Sequence, residues 1–145
     1  MDKVDQTIEK IKVLFDAQLF AVLATHDGAQ PYVSLMAFAA TGDLKHLLFA
    51  TERNTRKYAN LVSNPRVAAL IDNRSNQVSD TREAIAVTAL GEMRESNQEQ
   101  HLSIFLRKHP HLEAFVELPS CAFVEMQVVN YFVVEGLQGV KEVCP

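Results

Sequence analysis

The most informative stretch of this sequence is Leu47-Leu48-Phe49-Ala50-Thr51-Glu52-Arg53-Asn54-Thr55-Arg56-Lys57-Tyr58-Ala59-Asn60-Leu61. It begins with a short apolar run typical of a strand and turns polar at Thr51. Asn54 or Thr55 is a good N-cap, because a short polar side chain accepts a hydrogen bond from the free N–H groups of a first helical turn. Asn64-Pro65 ends that helix, since proline disfavours helical geometry in the residue before it. The stretch therefore predicts a strand, a turn and the start of a helix.

Arg53, Arg56 and Lys57 concentrate positive charge at the start of this helix. The N-terminal end of a helix carries partial positive charge, so basic residues are unfavourable there. A bound anion would relieve the repulsion, because free N–H groups, a hydroxyl and cations together form a phosphate site. The alternative is a solvated basic turn paired with Glu52 or another surface carboxylate, since surface charges are common and contribute little. These residues alone leave both interpretations open.

The segment 49–57 resembles the flavin-phosphate segment of the pyridoxamine 5′-phosphate oxidase-like, FMN-binding split-barrel family. In that family a strand ends in a threonine, and a Ser/Thr-Arg-Lys triplet follows at the start of a helix. Other similar pieces occur in the same order along the chain, namely 24–25, 28–33, 64–68 and 86–91. The resemblance covers residues 8 to 140, nearly the whole chain.

The resemblance implies a mainly β fold with short helices, a six-stranded antiparallel split β-barrel that binds FMN, formed as a single domain by residues 1–145. It also implies a homodimer with FMN at the subunit interface. The residues implied in cofactor binding are Val33, Ser34, Leu35, Met36, Ala50, Thr51, Thr55, Arg56, Lys57 and Asn73.

Within that set, Arg56 and Lys57 are expected to hold the phosphate with help from the Thr55 hydroxyl. Ala50 and Thr51 would meet the flavin through backbone and hydroxyl groups, and residues 33–36 would line its ring. For Met36 the alternative is core packing, since methionine is usually buried. At Ser34 the oxidase proper has an arginine, so this chain departs from the family there.

Asn73 belongs to the longest polar stretch, residues 72–82. Most such loops are solvent-facing connectors. In the family this loop lies where it can approach the flavin, so Asn73 is a candidate for the edge of the ring. The glutamine that often begins the next strand is absent, because Ala86 stands near that position.

Alternating apolar residues and turn signals predict the strands and helices in detail. The expected strands are 19–25, 31–40, 44–51, 66–72, 84–94, 121–129 and 131–135. Val4, Ile8, Ile11 and Phe15 recur at helical spacing and predict an N-terminal amphipathic helix capped by Asp2. Gly91 is expected to mark a bulge or a close approach of the backbone.

The bulk composition is that of an ordinary soluble domain, with 145 residues, 48% hydrophobic and 22% charged. A net charge of −4 argues against a general nucleic-acid binder, which usually carries a basic face. The sequence lacks a membrane-spanning run and a secretory signal pattern, and its two cysteines form no disulfide framework. We therefore expect a cytoplasmic protein without nucleic-acid or membrane partners.

The sequence contains no strong pattern for hydrolysis, and His109-Pro110-His111 lacks a nearby third ligand for a metal. No catalytic residue and no metal site are assigned. This fits a flavoprotein, in which the cofactor carries the chemistry. The first expectation is a small FMN-dependent oxidoreductase acting on an organic substrate. The alternatives are an FMN-binding electron carrier or sensor without turnover, and a barrel that binds another phosphorylated ligand.

Overall fold

A computed structural model of the protein describes residues 2–145, so Met1 of the expected domain lies outside the described residues. The strands are Phe20–His26 (β1), Pro31–Ala40 (β2), His46–Glu52 (β3), Arg66–Asp72 (β4), Ile85–Glu95 (β5), Cys121–Glu135 (β6) and Gln138–Val143 (β7). The helices are Lys3–Ala17 (α1), Arg56–Ser63 (α2), Asp80–Glu83 (α3), Glu99–Lys108 (α4) and Glu113–Glu117 (α5), with a 3-10 turn at Pro110–Leu112.

The strands close into an antiparallel barrel. They follow the order β3-β2-β1-β4-β5-β6-β7, and an additional pairing joins β3 to β6. This pairing closes β1 to β6 into a ring and leaves β7 attached to β6 alone. The expected mainly β fold, a six-stranded antiparallel barrel with short helices, is confirmed.

The inside of the barrel is filled by every second residue of each strand, as strand geometry requires. Leu23 of β1 lies opposite Ala69 of β4, which lies opposite Ala89 of β5, and all three are buried. Tyr131 of β6 is also buried and donates its hydroxyl to the carbonyl of Leu44 at 2.6 Å. The barrel interior is therefore apolar, and its buried phenol is satisfied.

Helices cover the barrel at several places. The apolar face of α1 closes one end, where Phe15 meets Phe38 edge-on with ring centroids 5.5 Å apart. The N-cap of α1 is Asp2, as expected, and its side chain accepts from the Asp5 N–H. On the outer surface, Phe105 of α4 forms a second, smaller core with Ala39 and Leu48. No helix in residues 2–145 is long and apolar enough to span a bilayer.

The last part of the chain differs from the expectation. Residues 121–129 and 131–135 belong to one continuous strand, β6, rather than to two strands. Residues 136 and 137 then turn the chain into β7, a strand that was not predicted. Apolar residues continue through the break expected at Asn130, and this side chain lies only half-buried on β6, donating to Glu142 of β7 at 2.6 Å.

Gly91 marks an irregularity, as predicted. The pairing of β5 with β6 shifts register between Leu90 and Gly91. A Cβ atom at Gly91 would lie 2.1 Å from the carbonyl oxygen of Gln127, so only glycine lets the two backbones approach this closely.

Candidate functional site

The N-terminus of α2 is built by the Thr55 side chain. Its hydroxyl donates to the carbonyl of Glu52 at 2.9 Å and accepts from the N–H of Tyr58 at 3.3 Å. Thr55 is therefore the N-cap, which resolves the choice between Asn54 and Thr55. Arg56 and Lys57 occupy the first two helical positions, where backbone N–H groups have no acceptor within the helix. These two amides are available to a ligand.

Beside this helix terminus β2 and β3 separate and leave a gap between their edges, which we call the fork. The two strands pair only through Phe38–Phe49, Ala39–Leu48 and Ala40–Leu47. Beyond these pairs β2 stays with β1 down to Pro31, while β3 continues along β6 to Glu52. One edge of each strand is thus without a strand partner, and α2, which directly follows β3, packs against β1 and β2.

The direction of the backbone groups at the fork follows from strand alternation. On β2, the N–H of Phe38 donates to the carbonyl of Leu19, next to β1. The backbone N–H and C=O groups of the even-numbered β2 residues therefore point toward β1. Those of the odd-numbered Val33 and Leu35 point into the fork. On β3, the N–H of Arg53 donates to Ser120 beside β6, so Ala50 faces the fork. Val33, Leu35 and Ala50 thus present backbone donors and acceptors to one gap.

The side chains of the other predicted strand residues point elsewhere. Met36 belongs to the barrel core, which confirms the packing alternative for its side chain. Ser34 is half-buried, and Thr51 is buried with its hydroxyl 3.4 Å from the carbonyl of Glu52. By the same alternation, the backbone groups of Ser34 and Met36 face β1, and those of Thr51 face β6.

Arg53 is neutralised within the chain. Its guanidinium forms an ion pair with Glu95 at the end of β5 and donates to the Tyr58 hydroxyl at 2.8 Å. The Tyr58 hydroxyl in turn donates to Glu95 at 2.6 Å. The Arg53 hydrogen bond is the main cause that holds the pKa of Glu95 below its usual value, so the carboxylate stays charged. For Arg53, the carboxylate-paired alternative is correct, with Glu95 as the carboxylate.

Arg56 and Lys57 have no such partner. In residues 2–145, neither side chain forms an ion pair with a carboxylate. The Arg56 guanidinium instead lies over the Tyr32 ring, 5.8 Å from its centroid. Backbone hydrogen bonds from Gln30 and Ala29 lower the pKa of Asp27, with a smaller contribution from the charge of Arg56. The start of α2 therefore keeps two positive charges available beside two free amides.

A buried hydrogen bond fixes α2 to the barrel. The side-chain amide of Asn60 donates to the hydroxyl of Thr25 on β1 at 3.1 Å, and both residues are buried. Thr25 lies opposite Tyr32 in the β1–β2 ladder, so this bond and the Arg56–Tyr32 contact lie close together. These two contacts, together with the buried side chain of Leu61, fix α2 against β1 and β2.

Asn73 is the predicted site residue that the fold separates from the others. It follows β4, whose end lies beside the start of β1, whereas Thr25 and the start of α2 lie toward the other end of β1. The separation along β1 is about 16 Å at 3.3 Å per residue. Its side-chain oxygen accepts from the N–H of Ile85 at 2.8 Å, which holds the turn into β5. Within one chain, Asn73 has a structural role.

The histidines near residue 110 are used in packing. His109 is buried, and its Nε2 lies 2.8 Å from the carbonyl oxygen of Phe38. Burial lowers the pKa of His109. In residues 2–145, no group of three or more His, Cys, Asp and Glu side chains is arranged to hold a metal ion.

Sequence reasoning missed two residues that shape this site. Tyr32 was not among the predicted site residues, but it is 40% exposed and its ring contacts Arg56. Its position directly after the hairpin turn is the signal that would have suggested an exposed ring. Glu95 lies 42 residues from Arg53 in sequence, and nothing local indicates that the two meet.

The sequence profile of the pyridoxamine 5′-phosphate oxidase family matches residues 7–132. The chain belongs to this family. The matched region contains the fork, α2 and all of the predicted site residues. No curated protein matched the sequence.

Solved structures support the same fold for this family member. A haem-binding protein from Mycobacterium smegmatis superposes with a TM-score of 0.83 at 14% identity, over 94% of this chain and 57% of that protein. General Stress Protein 26 from Bacillus anthracis gives 0.72 at 16% identity, over 97% and 99% of the two chains. A FAD-binding protein from Mesorhizobium loti gives 0.65 at 22% identity, over 88% and 90%. Identities this low show the fold alone, and the ligands differ between these proteins.

Proposed function

We propose that the protein is a flavoprotein that binds FMN at the fork between β2 and β3. The observation that carries this proposal is the pair of cations, Arg56 and Lys57, which stand at the N-terminus of α2 without a carboxylate partner in the described chain. Two backbone amides point from the same helical turn. A phosphate monoester is a dianion, and it matches two cations and two N–H donors.

The rest of the fork fits the flavin ring. The pyrimidine part of the ring carries alternating N–H and C=O groups along its edge, and strand edges present the same alternation. Val33 and Leu35 of β2 and Ala50 of β3 supply backbone groups directed into the gap. An N–H group held beside the ring would stabilise the negative charge that develops there on reduction. Thr55 acts through the helix, because its hydroxyl proton is already donated to Glu52.

FMN, when bound, supplies reversible hydride and electron transfer. The chain's own residues bind and orient it: the α2 terminus holds the phosphate, and the strand edges hold the ring. On this basis we assign the protein as a small oxidoreductase that acts on an organic substrate. An electron carrier or sensor uses the same site without a substrate, and reoxidation kinetics with and without candidate substrates distinguish the two.

We further propose a homodimer with one FMN at each of two equivalent sites in the interface. The fork is open on the outer surface of the barrel, where Val33 and Leu35 are exposed. A second copy over this surface would exclude water from the ring.

Titration with FMN tests the phosphate site. Each charge-assisted hydrogen bond from Arg56 or Lys57 contributes about 1.5–3 kcal/mol. We therefore expect Arg56→Ala and Lys57→Ala each to raise the Kd for FMN by about one to two decades. Riboflavin, which lacks the phosphate, would bind to the wild type more weakly than FMN and would be little affected by either substitution. Quenching of flavin fluorescence measures both ligands.

Arg74→Ala is the matched control. It removes one arginine whose guanidinium is paired with Asp72 at 2.7 Å, on the loop that follows β4. Its Kd for FMN should equal that of the wild type, which separates the local site from the overall charge. If Arg56→Ala and Lys57→Ala both bind FMN like the wild type, the proposed site is wrong. The absorption spectrum of the purified protein then shows whether another chromophore, such as haem, is present.

A further inference from the structure

Tyr32 lies where β2 leaves the turn and meets the first turn of α2. Its ring is 40% exposed and faces the guanidinium of Arg56, at 5.8 Å from the centroid. Its strand partner Thr25 accepts the hydrogen bond from Asn60 of α2. The backbone of Tyr32 is therefore held in the β1–β2 ladder, and its ring lies next to the start of α2.

The contact restricts the side chain that carries the phosphate charge. An arginine side chain has many rotamers, and part of this conformational freedom is lost when it binds a ligand. A guanidinium over an aromatic face at an exposed site gains about 0.5–1 kcal/mol. An aromatic ring neutralises no charge, in contrast to Glu95 beside Arg53. Tyr32 can thus restrict the conformations of the Arg56 side chain before the ligand binds, while the charge of Arg56 stays available to an anion.

We propose that Tyr32 is a positioning residue that orients Arg56 toward the phosphate of the cofactor. This inference rests on the proposed function, because it concerns the same phosphate site. It makes the start of β2 a part of phosphate recognition, although Tyr32 itself contacts Arg56 and not the phosphate. Recognition of the ring, through Val33, Leu35 and Ala50, is independent of it.

The test compares Tyr32→Leu with Tyr32→Phe in the full chain, by titration with FMN and with riboflavin. Tyr32→Leu removes the aromatic face, and we expect the Kd for FMN to rise about two- to fivefold, as the loss of one exposed cation–π contact implies. Tyr32→Phe keeps the face and should bind FMN like the wild type, since no hydrogen bond of the Tyr32 hydroxyl is seen in residues 2–145. The Kd for riboflavin should be the same in all three proteins.

A double-mutant cycle separates positioning from packing. In the Arg56→Ala background, Tyr32→Leu should have no further effect on FMN binding, because the side chain that it positions is absent. Free energies of unfolding, measured by urea, verify that each variant is folded under the titration conditions.

An unchanged Kd for FMN in Tyr32→Leu would overturn the inference. Two further outcomes would do the same while the wild type still binds FMN through Arg56. One is an equal loss of riboflavin affinity in Tyr32→Leu, which would assign the ring to flavin packing. The other is an undiminished effect of Tyr32→Leu in the Arg56→Ala background. Failure of the wild type to bind FMN would instead overturn the proposed function, and this inference with it.

Discussion

Lys108 carries a charge in a partly buried position at the C-terminal end of α4. Its ammonium donates to the carbonyl of Phe15 near the end of α1 at 2.8 Å and lies 4.0 Å from the centroid of the Phe38 ring. No carboxylate forms an ion pair with it in residues 2–145. Burial lowers the pKa of Lys108 from its ordinary value of 10.5 to about 8, against the smaller opposing effect of the charge of Asp16.

This pKa predicts a pH dependence of stability. Between pH 8 and 10.5 the unfolded chain keeps the proton on Lys108 while the folded chain releases it. The unfolded state then binds more protons, so the free energy of unfolding contributed by Lys108 rises with pH across this window and is constant below it. We expect the wild type to gain stability relative to Lys108→Met as the pH rises from 8 to 10. Urea denaturation at intervals of pH measures this difference.

Lys45→Met is the control for this experiment, because Lys45 is exposed in the turn before β3. The difference in the free energy of unfolding between the wild type and Lys45→Met should be constant over the same pH range. A flat profile for Lys108→Met as well would show that the ammonium is solvated as readily in the folded chain as in the unfolded one.

At the scale of secondary-structure elements, the position of α2 determines the site. This helix has eight residues, and most of its side chains are at least partly exposed. Asn60 is one of its two buried residues, and the hydrogen bond to Thr25 is its polar link to β1. Removing one member of a buried hydrogen-bonded pair costs about 1–3 kcal/mol, whereas replacing both by apolar groups can be nearly neutral.

We therefore predict strong coupling between these two residues. Asn60→Leu and Thr25→Val should each lower the free energy of unfolding by about 1–3 kcal/mol, and the double variant should lose less than the sum. Both single variants should also weaken FMN binding, since they loosen the helix that presents Arg56 and Lys57. Urea denaturation and FMN titration of the four proteins test this, and strictly additive losses would show that the bond does not anchor the helix.

The elements near the site were predictable because local chemistry sets them. The Thr55 cap and the end of α2 before Pro65 follow from one short segment. β7 was not predicted, because its residues are almost all exposed and carry no apolar alternation that predicts a strand. It forms because Gly136, with a φ of 64°, turns the chain back along β6.

The candidate site was predicted in part for a similar reason. The charge pattern indicates the charged residues but not their partners. The family resemblance singled out Arg56, and only the fold shows that Arg53 is neutralised by Glu95. The backbone groups of Val33, Leu35 and Ala50 face the fork only because the pairing of β2 with β3 ends at Phe38. That end point depends on the whole barrel. Asn73 was selected by its position in a polar loop, and only the strand register shows its distance from the start of α2.

At the scale of the whole molecule, the outer surface of the barrel carries two largely apolar rows. One row crosses four strands through Leu35, Val22, Leu70 and Thr88, and the other through Val33, Ala24, Ala68 and Leu90. Leu35 is 70% exposed, Val33 63% and Leu90 40%. A contiguous apolar surface of this kind is typical of a protein–protein interface. Because the rows begin at Val33 and Leu35, they reach the edge of the fork.

We predict that a second copy of the chain covers these rows. In light scattering the wild type should have twice the mass of one chain. Leu90→Glu places a charge in the interface, and burying an unpaired carboxylate costs several kcal/mol at the least. This variant should be monomeric and should bind FMN more weakly, because the site loses its cover. Leu90 was chosen since it lies on β5, away from the backbone groups proposed to contact the ring.

Leu118→Glu provides the matched comparison, because Leu118 is an exposed leucine at the end of α5 and outside both rows. It should remain dimeric and bind FMN like the wild type. Circular dichroism verifies that both variants keep the barrel. A wild type that is monomeric with FMN fully bound would contradict the interface, and so would a dimeric Leu90→Glu variant. In the first case the fork alone would have to exclude water from the ring.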